Sequence, residues 1–283
     1  MAYSYKTLVR ALTDVGIEDA ADEAVLLLGQ FANAPMGALM ADRDRLYESE
    51  ALDAAVVRRL ERYPLQYILG SWWFFGALFE VNEHVLVPRP DTECLVERAL
   101  ASLPEGARFA DLCTGSGCIA VSMLLQRPDL HATALELYPE TLATAVRNAA
   151  LNGVADRMTS VQADLLDGGV AALAAFAPFD AIVSNPPYIP TETVRGLSPE
   201  VLCEPFAALD GGADGLTFYR AILRDYPALL APGGQILLEI GYDQADALRA
   251  LCEAFLPGAA VSVLQDLGGN DRVVHITLPP PVA

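Results

Sequence analysis

From residue 107 onward, apolar runs of strand length alternate with helix-like runs, and polar residues stand where several of the strands end. Residues 109–112 lead through a glycine-rich turn to a helix starting at Cys118. Residues 132–137 lead to a helix over 139–152, and residues 158–163 precede Asp164. Residues 179–184 run into Asn185-Pro186-Pro187-Tyr188, and 235–240 follow Pro232-Gly233-Gly234. Residues 261–264 and 272–278 close the chain as antiparallel strands. Alternation of this kind predicts an α/β fold with a mostly parallel, doubly wound sheet, whose ligand lies at the carboxyl ends of the strands. Asp111, Glu136, Asp164 and Asn185 all fall at such ends.

The turn after the first of these strands reads Asp111-Leu112-Cys113-Thr114-Gly115-Ser116-Gly117-Cys118. Its glycines let a ligand approach the backbone at a helix N-terminus. Glu136 follows Gly117 by nineteen residues, where an acid can take a ribose diol. Ala120 stands at the third glycine's place, which disfavours a nicotinamide dehydrogenase, and no Gly-Lys-Ser/Thr is present. A nucleoside without a pyrophosphate fits better, and S-adenosylmethionine is the common one. In Asn185-Pro186-Pro187-Tyr188, Pro186 removes a backbone donor and biases Asn185 towards an extended conformation. By itself this is also a plain proline-rich turn. Beside the upstream turn it becomes a stiff loop that offers an amide side chain, a backbone carbonyl and an aromatic ring to a planar NH2 group.

Together, Asp111-x-x-Thr114-Gly115-Ser116-Gly117, Glu136, Ala163-Asp164-Leu165 and Asn185-Pro186-Pro187-Tyr188 resemble the class I methyltransferases that modify planar amino groups. Their order is similar to that of the glutamine N5-methyltransferases of the HemK/PrmC type. Val85-Leu86-Val87-Pro88-Arg89-Pro90-Asp91-Thr92-Glu93, Glu204-Pro205 with Gly211-Gly212-Ala213-Asp214-Gly215, and Asp266-Leu267-Gly268-Gly269-Asn270-Asp271-Arg272-Val273 extend the resemblance over nearly the whole chain, most weakly over the first seventy residues.

The resemblance implies a Rossmann-like, S-adenosylmethionine-dependent methyltransferase domain over 91–283, a small helical domain over 1–70 and a β-hairpin linker over 71–90. It implies methyl transfer from S-adenosylmethionine to the side-chain nitrogen (N5) of the glutamine in the Gly-Gly-Gln motif of peptide chain release factors, supporting translation termination. A glutamine of a large-subunit ribosomal protein is the alternative, and the Asp111–Cys118 turn also occurs in that group. Asn185, Pro186 and Tyr188 take the catalytic roles: Asn185 Oδ1 and the Pro186 carbonyl accept the two amide hydrogens, and Tyr188 stacks on the amide plane. Asp111, Cys113, Thr114, Gly115, Ser116, Gly117, Glu136, Asp164, Leu165 and Asn185 bind the cofactor. Asn185, Pro186, Pro187, Tyr188, Arg89, Thr92, Glu93 and Phe75 bind the substrate. Two positions depart from the family pattern: Cys113 stands where glycine is frequent and Glu136 where aspartate is frequent.

Asp91 or Thr92 also reads as an ordinary helix cap, with Glu93 or Glu97 near the positive helix end. Residues 72–81 and 85–87, rich in aromatics that read mostly as core, suggest a hairpin turning at Asn82-Glu83-His84. Before them, Leu8, Leu12, Val15, then Ala24, Leu27, Leu28, Phe31, and later Leu52, Val56, Val57 and Leu60 recur at helical spacing, with Asp19 or Asp22 to cap the second helix.

A net charge of −19 with no basic patch argues against phosphate binding. That disfavours the other class served by Asn-Pro-Pro-Tyr, the methyltransferases of exocyclic base nitrogens, and direct nucleic-acid binding is not expected. The acidity suits a solubilising surface or a basic protein partner. The five cysteines form no Cys-x-x-Cys pair and the three histidines are scattered, so neither a disulfide framework nor a metal site is expected. Cys113 and Cys118 have no histidine nearby to make either a nucleophile. With no signal-like start and no apolar run of the ~20 residues that span a membrane, the expectation is a cytoplasmic monomer.

Overall fold

The computed structural model describes residues 1–279, and the chain divides into two units. The last four residues of the methyltransferase domain expected over 91–283 lie outside the described residues.

The first unit is Met1–Ser71 together with Ser198–Cys203. Its helical spacing becomes α1 (Tyr5–Asp14), α2 (Ala20–Ala32), α3 (Met36–Ala41), α4 (Glu50–Leu60) and α5 (Leu65–Leu69), while β1 (Ala2–Tyr3) pairs antiparallel with β2 (Tyr47–Glu48). Leu8, Leu12, Leu27, Leu28, Leu52 and Val56 are buried, as the periodicity requires. Ser4 and Thr7 form a capping box on α1, and Ser49 Oγ accepts from Leu52 N at 2.9 Å to cap α4. Asp19 stands at the N-cap position of α2 without a side-chain capping bond. Arg59 is a buried cation inside this unit: Nε donates to Glu23 Oε2 at 2.6 Å and Nη1 to Glu200 Oε1 at 2.9 Å.

The second unit is Trp72–Leu197 with Glu204 onward. It opens on β3 (Ser71–Phe74), which pairs with β4 (Ala77–Glu80). The hairpin turns at Phe75-Gly76, both at positive φ (48° and 76°), and not at Asn82-Glu83-His84. Positive φ at both central residues suits the right-handed strand twist, and a phenylalanine there is a weak sequence signal. Asn82 makes a tight local turn instead, its Oδ1 accepting from His84 N at 3.0 Å. Of the aromatics expected in the core, Phe74 is buried but Trp73 is 66% exposed.

There follow α6 (Glu93–Ser102), β5 (Arg108–Leu112), α7 (Cys118–Gln126), β6 (His131–Glu136), α8 (Pro139–Leu151), β7 (Met158–Gln162), α9 (Gly169–Leu173) and β8 (Phe179–Ser184). After the short α10 (Thr191–Val194), and α11 (Pro199–Leu202), which belongs to the first unit, the second unit ends with α12 (Thr217–Asp225), β9 (Leu230–Glu239), α13 (Ala245–Phe255), β10 (Ala260–Gln265) and β11 (Asp271–Thr277). The seven-stranded sheet has the order β10-β11-β9-β8-β5-β6-β7, parallel from β9 to β7, with β11 antiparallel to β9 and β10 antiparallel to β11. β9 begins earlier than the sequence suggests: Leu230 pairs with Phe179, Gln235 with Ala181, and the residues between are accommodated by an irregularity. Successive residues of the central strands serve opposite faces. Phe109, Ala181 and Leu237 pack with Leu95 and Ile119, whereas Ala110, Ile182 and Leu238 pack with Ile222 and Leu248. Among the described residues, no helix is long and apolar enough to cross a membrane.

Replacing Arg59 by alanine should destabilise the first unit by roughly 3–5 kcal/mol, because Glu23 and Glu200 lose their buried cation; an earlier urea transition checks this. Burial raises the Glu200 carboxyl, but hydrogen bonds from Arg62 and Arg59 outweigh it and hold the group at about 2. Its folded pKa is therefore depressed. Its stabilisation is present above the ordinary carboxylate range and should disappear from the urea midpoint as pH falls towards 2.

Candidate functional site

Leu112 pairs with Leu135 on one side and with Ser184 on the other. The residues just past those pairs, Cys113, Glu136 and Asn185, therefore emerge together at the carboxyl rim. The strand order reverses here, between β5 and β8, and an open α/β sheet has its crevice at such a point. A cavity of about 390 Å³ occupies it. Cys113, Thr114, Gly115, Ser116, Glu136, Asp164, Leu165, Asn185 and Pro187 line it, as do Arg89 and Thr92. Asp111, Gly117, Pro186, Tyr188, Phe75 and Glu93 are not part of the lining. Residues not expected at the site from the sequence, including His84, Leu86, Tyr138, Thr141 and Phe206, complete it.

The glycine-rich turn is held open by its backbone. Cys113, Gly115 and Gly117 have φ of 58°, 57° and 79°. This accounts for the preference for glycine at position 113, because an L residue in the left-handed region costs roughly 1–2 kcal/mol. A Cβ on Gly117 would stand 3.1 Å from Ala145 Cβ on α8, so the turn also needs glycine for close helix packing. Asp111 lies beneath the turn, fully buried, with Oδ2 accepting from Thr114 Oγ1 at 2.6 Å. Burial raises its carboxyl to about 7 against the hydrogen bonds from Thr114 and the Ala120 backbone.

Glu136 accepts from Gly115 N at 3.1 Å, Leu137 N at 2.9 Å and Tyr138 N at 3.2 Å. Burial raises its pKa and these three donors oppose the rise. The donors fix both oxygens at the cavity wall while leaving acceptor capacity for a vicinal diol. Asp164 closes a local turn, Oδ1 accepting from Leu166 N at 2.8 Å, and brings Leu165 to the same wall. The apolar side chains of Leu135, Leu165 and Leu166, an acid suited to a ribose and a glycine turn free of lysine fit S-adenosylmethionine. Burial pushes the Cys113 thiol well up and the Cys118 thiol up to about 12, so neither is poised as a nucleophile.

The loop after β8 is fixed from outside the cavity. Gln244 Nε2 donates to the Tyr188 carbonyl at 3.0 Å, and Ile189 N donates to Leu209 O at 3.0 Å. A Cβ on Gly215 would come within 2.3 Å of Tyr188 O and one on Gly211 within 2.8 Å of the Tyr188 backbone, so both positions need glycine. Tyr188 is half-buried, and its phenol is pushed up to about 12, chiefly by burial. Asn185 donates from Nδ2 to Thr92 Oγ1 at 3.2 Å.

Around the rim, the motif residues turn out to hold one another. Arg89 is paired with Glu204, which also accepts from Val87 N at 3.0 Å. Arg272 reaches Asp266 at 3.1 Å and Asp91 at 3.3 Å. Glu93 accepts from Phe75 N at 2.8 Å and so holds the hairpin turn. Two residues escaped the sequence reading. Buried Asn148 exchanges hydrogen bonds with the Glu80 backbone and donates to Ser116 O at 2.9 Å, clasping the hairpin to the glycine turn. Glu239, at the end of β9, is buried, and burial raises its carboxyl to about 7. A lone Asn in a helix and a carboxylate ending a strand are too common to stand out.

Residues 5–70 match the family described as the PrmC N-terminal domain, and residues 90–204 match the methyltransferase small domain. A release factor glutamine methyltransferase of Cereibacter sphaeroides is 43% identical over 282 residues, covering 98% of each chain. One from Geobacter sulfurreducens is 41% identical over 273 residues, covering 93% of this chain and 91% of its own. Among solved structures, a methyltransferase from Pyrococcus furiosus is similar with a TM-score of 0.53 at 19% identity, covering 80% of this chain and 98% of that one, a likeness of fold alone.

Glu136→Ala should weaken S-adenosylmethionine binding about 10- to 100-fold, the worth of roughly 1.5–3 kcal/mol for hydrogen bonds to a charged group. Titration calorimetry reads this directly, and Glu136→Asp should retain most of the affinity.

Proposed function

This chain belongs to the release factor glutamine methyltransferase family and has the class I S-adenosylmethionine-dependent methyltransferase fold, and on that premise we propose that it methylates N5 of the glutamine in the Gly-Gly-Gln motif of peptide chain release factors. The observation that carries the reading to the chemistry is Asn185: it lines the cavity, its NH2 is occupied by Thr92, and among the described residues nothing donates to its Oδ1.

When bound, S-adenosylmethionine supplies an electrophilic methyl group on a sulfonium sulfur. A glutamine amide is a poor nucleophile, since its lone pair is delocalised into the carbonyl. Asn185 Oδ1 and the Pro186 carbonyl accept its two N–H groups and hold the nitrogen in line. Orientation of that kind can contribute up to roughly 7–11 kcal/mol in ideal cases. No strong base is needed, because the nitrogen becomes acidic as the new N–C bond forms and gives one proton to water. Tyr188, neutral at working pH because of burial, acts by its flat face rather than as a base. Pro186 and Pro187 keep the loop stiff.

Arg89 is committed to Glu204, and Asp91 to Arg272, so this segment serves the substrate through its shape more than through free charge. A net charge of −19 suits a protein substrate rather than a nucleic acid. The names of the relatives favour the release factor over the ribosomal protein.

Mass spectrometry of a release factor incubated with this protein and S-adenosylmethionine should show one added methyl on the Gly-Gly-Gln glutamine. Asn185→Ala should abolish that methyl while cofactor affinity stays within a few-fold. A methyl on a ribosomal protein instead would change the substrate and keep the chemistry.

A further inference from the structure

β4 pairs with β3 along one edge, and the backbone groups of its other edge need partners of their own. Side chains at the end of α8 supply them. Asn152, just past the helix, donates from Nδ2 to Leu78 O at 3.0 Å. One turn earlier, Asn148 accepts at Oδ1 from Glu80 N at 2.7 Å and donates from Nδ2 to Glu80 O at 3.0 Å. The Asn148 amide thus stands in for a neighbouring strand.

Each of the two amides has a second Nδ2 hydrogen, and the use of it sets Asn148 apart. Asn152 turns its own back onto the helix, to Asn148 O at 3.0 Å. Asn148 gives its own to Ser116 O at 2.9 Å, inside the glycine-rich turn. A flipped Asn148 amide would set NH2 against the Glu80 N–H and Oδ1 against two carbonyls, so the three partners fix its orientation. Asn148 and Ala145, one turn apart on α8, are both fully buried, and Ala145 is the residue that Gly117 approaches. One stretch of helix therefore holds Ser116 by a hydrogen bond and Gly117 by close contact. Ser116 lines the cavity, whereas among the described residues neither Asn148 nor any of β4 does.

The bonds of the turn run outward. Thr114 N donates to Leu135 O at 3.1 Å, Gly115 N to Glu136 Oε2 at 3.1 Å, and Ser116 O accepts from Asn148. The first two tie the turn to β6; the third ties it to α8 and, through the same amide, to β4. We infer that Asn148 is a positioning residue for the cofactor: it fixes the glycine-rich turn against β4, so that cofactor affinity depends on a strand outside the cavity. A turn left loose must be ordered as the ligand binds, and that ordering is subtracted from affinity. The inference rests on S-adenosylmethionine as the ligand of this cavity and is independent of the identity of the protein substrate.

The test measures S-adenosylmethionine affinity and binding stoichiometry by titration calorimetry for wild type, Asn148→Ala and Asn152→Ala. Both substitutions free backbone groups of β4, but only the first also frees Ser116 O. Asn148→Ala should weaken binding about 10-fold at full stoichiometry, the worth of one buried hydrogen bond. Asn152→Ala, which does not touch the turn, should stay within about twofold of wild type. An unchanged affinity in Asn148→Ala, or an equal loss in the two variants, overturns the inference. A lower stoichiometry with wild-type affinity marks a purely structural residue and overturns it too. The wild type gives a second test with no substitution. Opening β4 breaks the Asn148 bonds, so saturating cofactor should slow hydrogen exchange at the Glu80 amide about 10-fold, the same coupling seen from the strand. Amides of β10, at the far edge of the main sheet, should not change. A Glu80 amide slowed no more than those of β10 overturns the inference. A wild type that does not bind S-adenosylmethionine overturns the cofactor reading and this inference with it, whereas tight wild-type binding with unaffected variants sinks the inference alone.

Discussion

The structure depends on one register. Leu112 of β5 sits opposite Leu135 of β6 and Ser184 of β8, and the chain can make that double pairing only by winding outward in both directions from β5. Everything polar at the rim follows from it. A shift of one residue would turn every side chain of a strand to the other face of a sheet that is buried on both sides, so the register is strongly specified. The consequence is chemical. Cys113, Glu136 and Asn185, far apart in sequence, open onto one cavity because the ladders beneath them end level.

A rim made of strand ends still needs its loops held, and here ion pairs and hydrogen bonds hold them, most with at least one buried partner. Arg89 with Glu204, Arg272 with Asp91 and Asp266, and the Asn148 clasp on Glu80 and Ser116 each join segments distant in sequence. Removing one member of a buried pair strands the other, whereas an apolar replacement of the whole pair is often neutral or stabilising. Their gain is therefore in geometry rather than in net stability. Such pairs fix angles where hydrophobic contact would fix only distance.

What the sequence made legible and what it did not divide along physical lines. Strand and helix alternation is local, so β5, β6, β7 and β8 fall within about a residue of expectation. The glycine turn and the Asn-Pro-Pro loop were readable because glycine and proline each answer a specific backbone requirement. The hairpin turn at Phe75-Gly76 was hidden, since phenylalanine at positive φ is set by the surrounding structure and not by propensity. The Pro232-Gly233-Gly234 stretch reads as a strand boundary and lies inside β9. Thr92 reads as a cap, and its position is a cap's, but its hydroxyl is used elsewhere. Long-range partners such as Asn148 and Glu239 leave no periodic trace at all.

Some departures from good folding practice stand close to the crevice. Cys113 accepts a backbone conformation suited to glycine. Asp111 and Glu239 each keep one buried oxygen with no hydrogen-bond partner, and burial raises both carboxyls to about 7. Buried acceptors are normally satisfied, and a protein selected for stability alone would fill these positions with amides or apolar groups. Both carboxylates stand near the carboxyl rim of the sheet, one beneath the glycine turn and one at the end of β9. Such departures also occur away from the crevice: Tyr47 and Asp53 of the first unit each keep a buried oxygen with no hydrogen-bond partner, and Asn33 and Arg62 adopt positive φ.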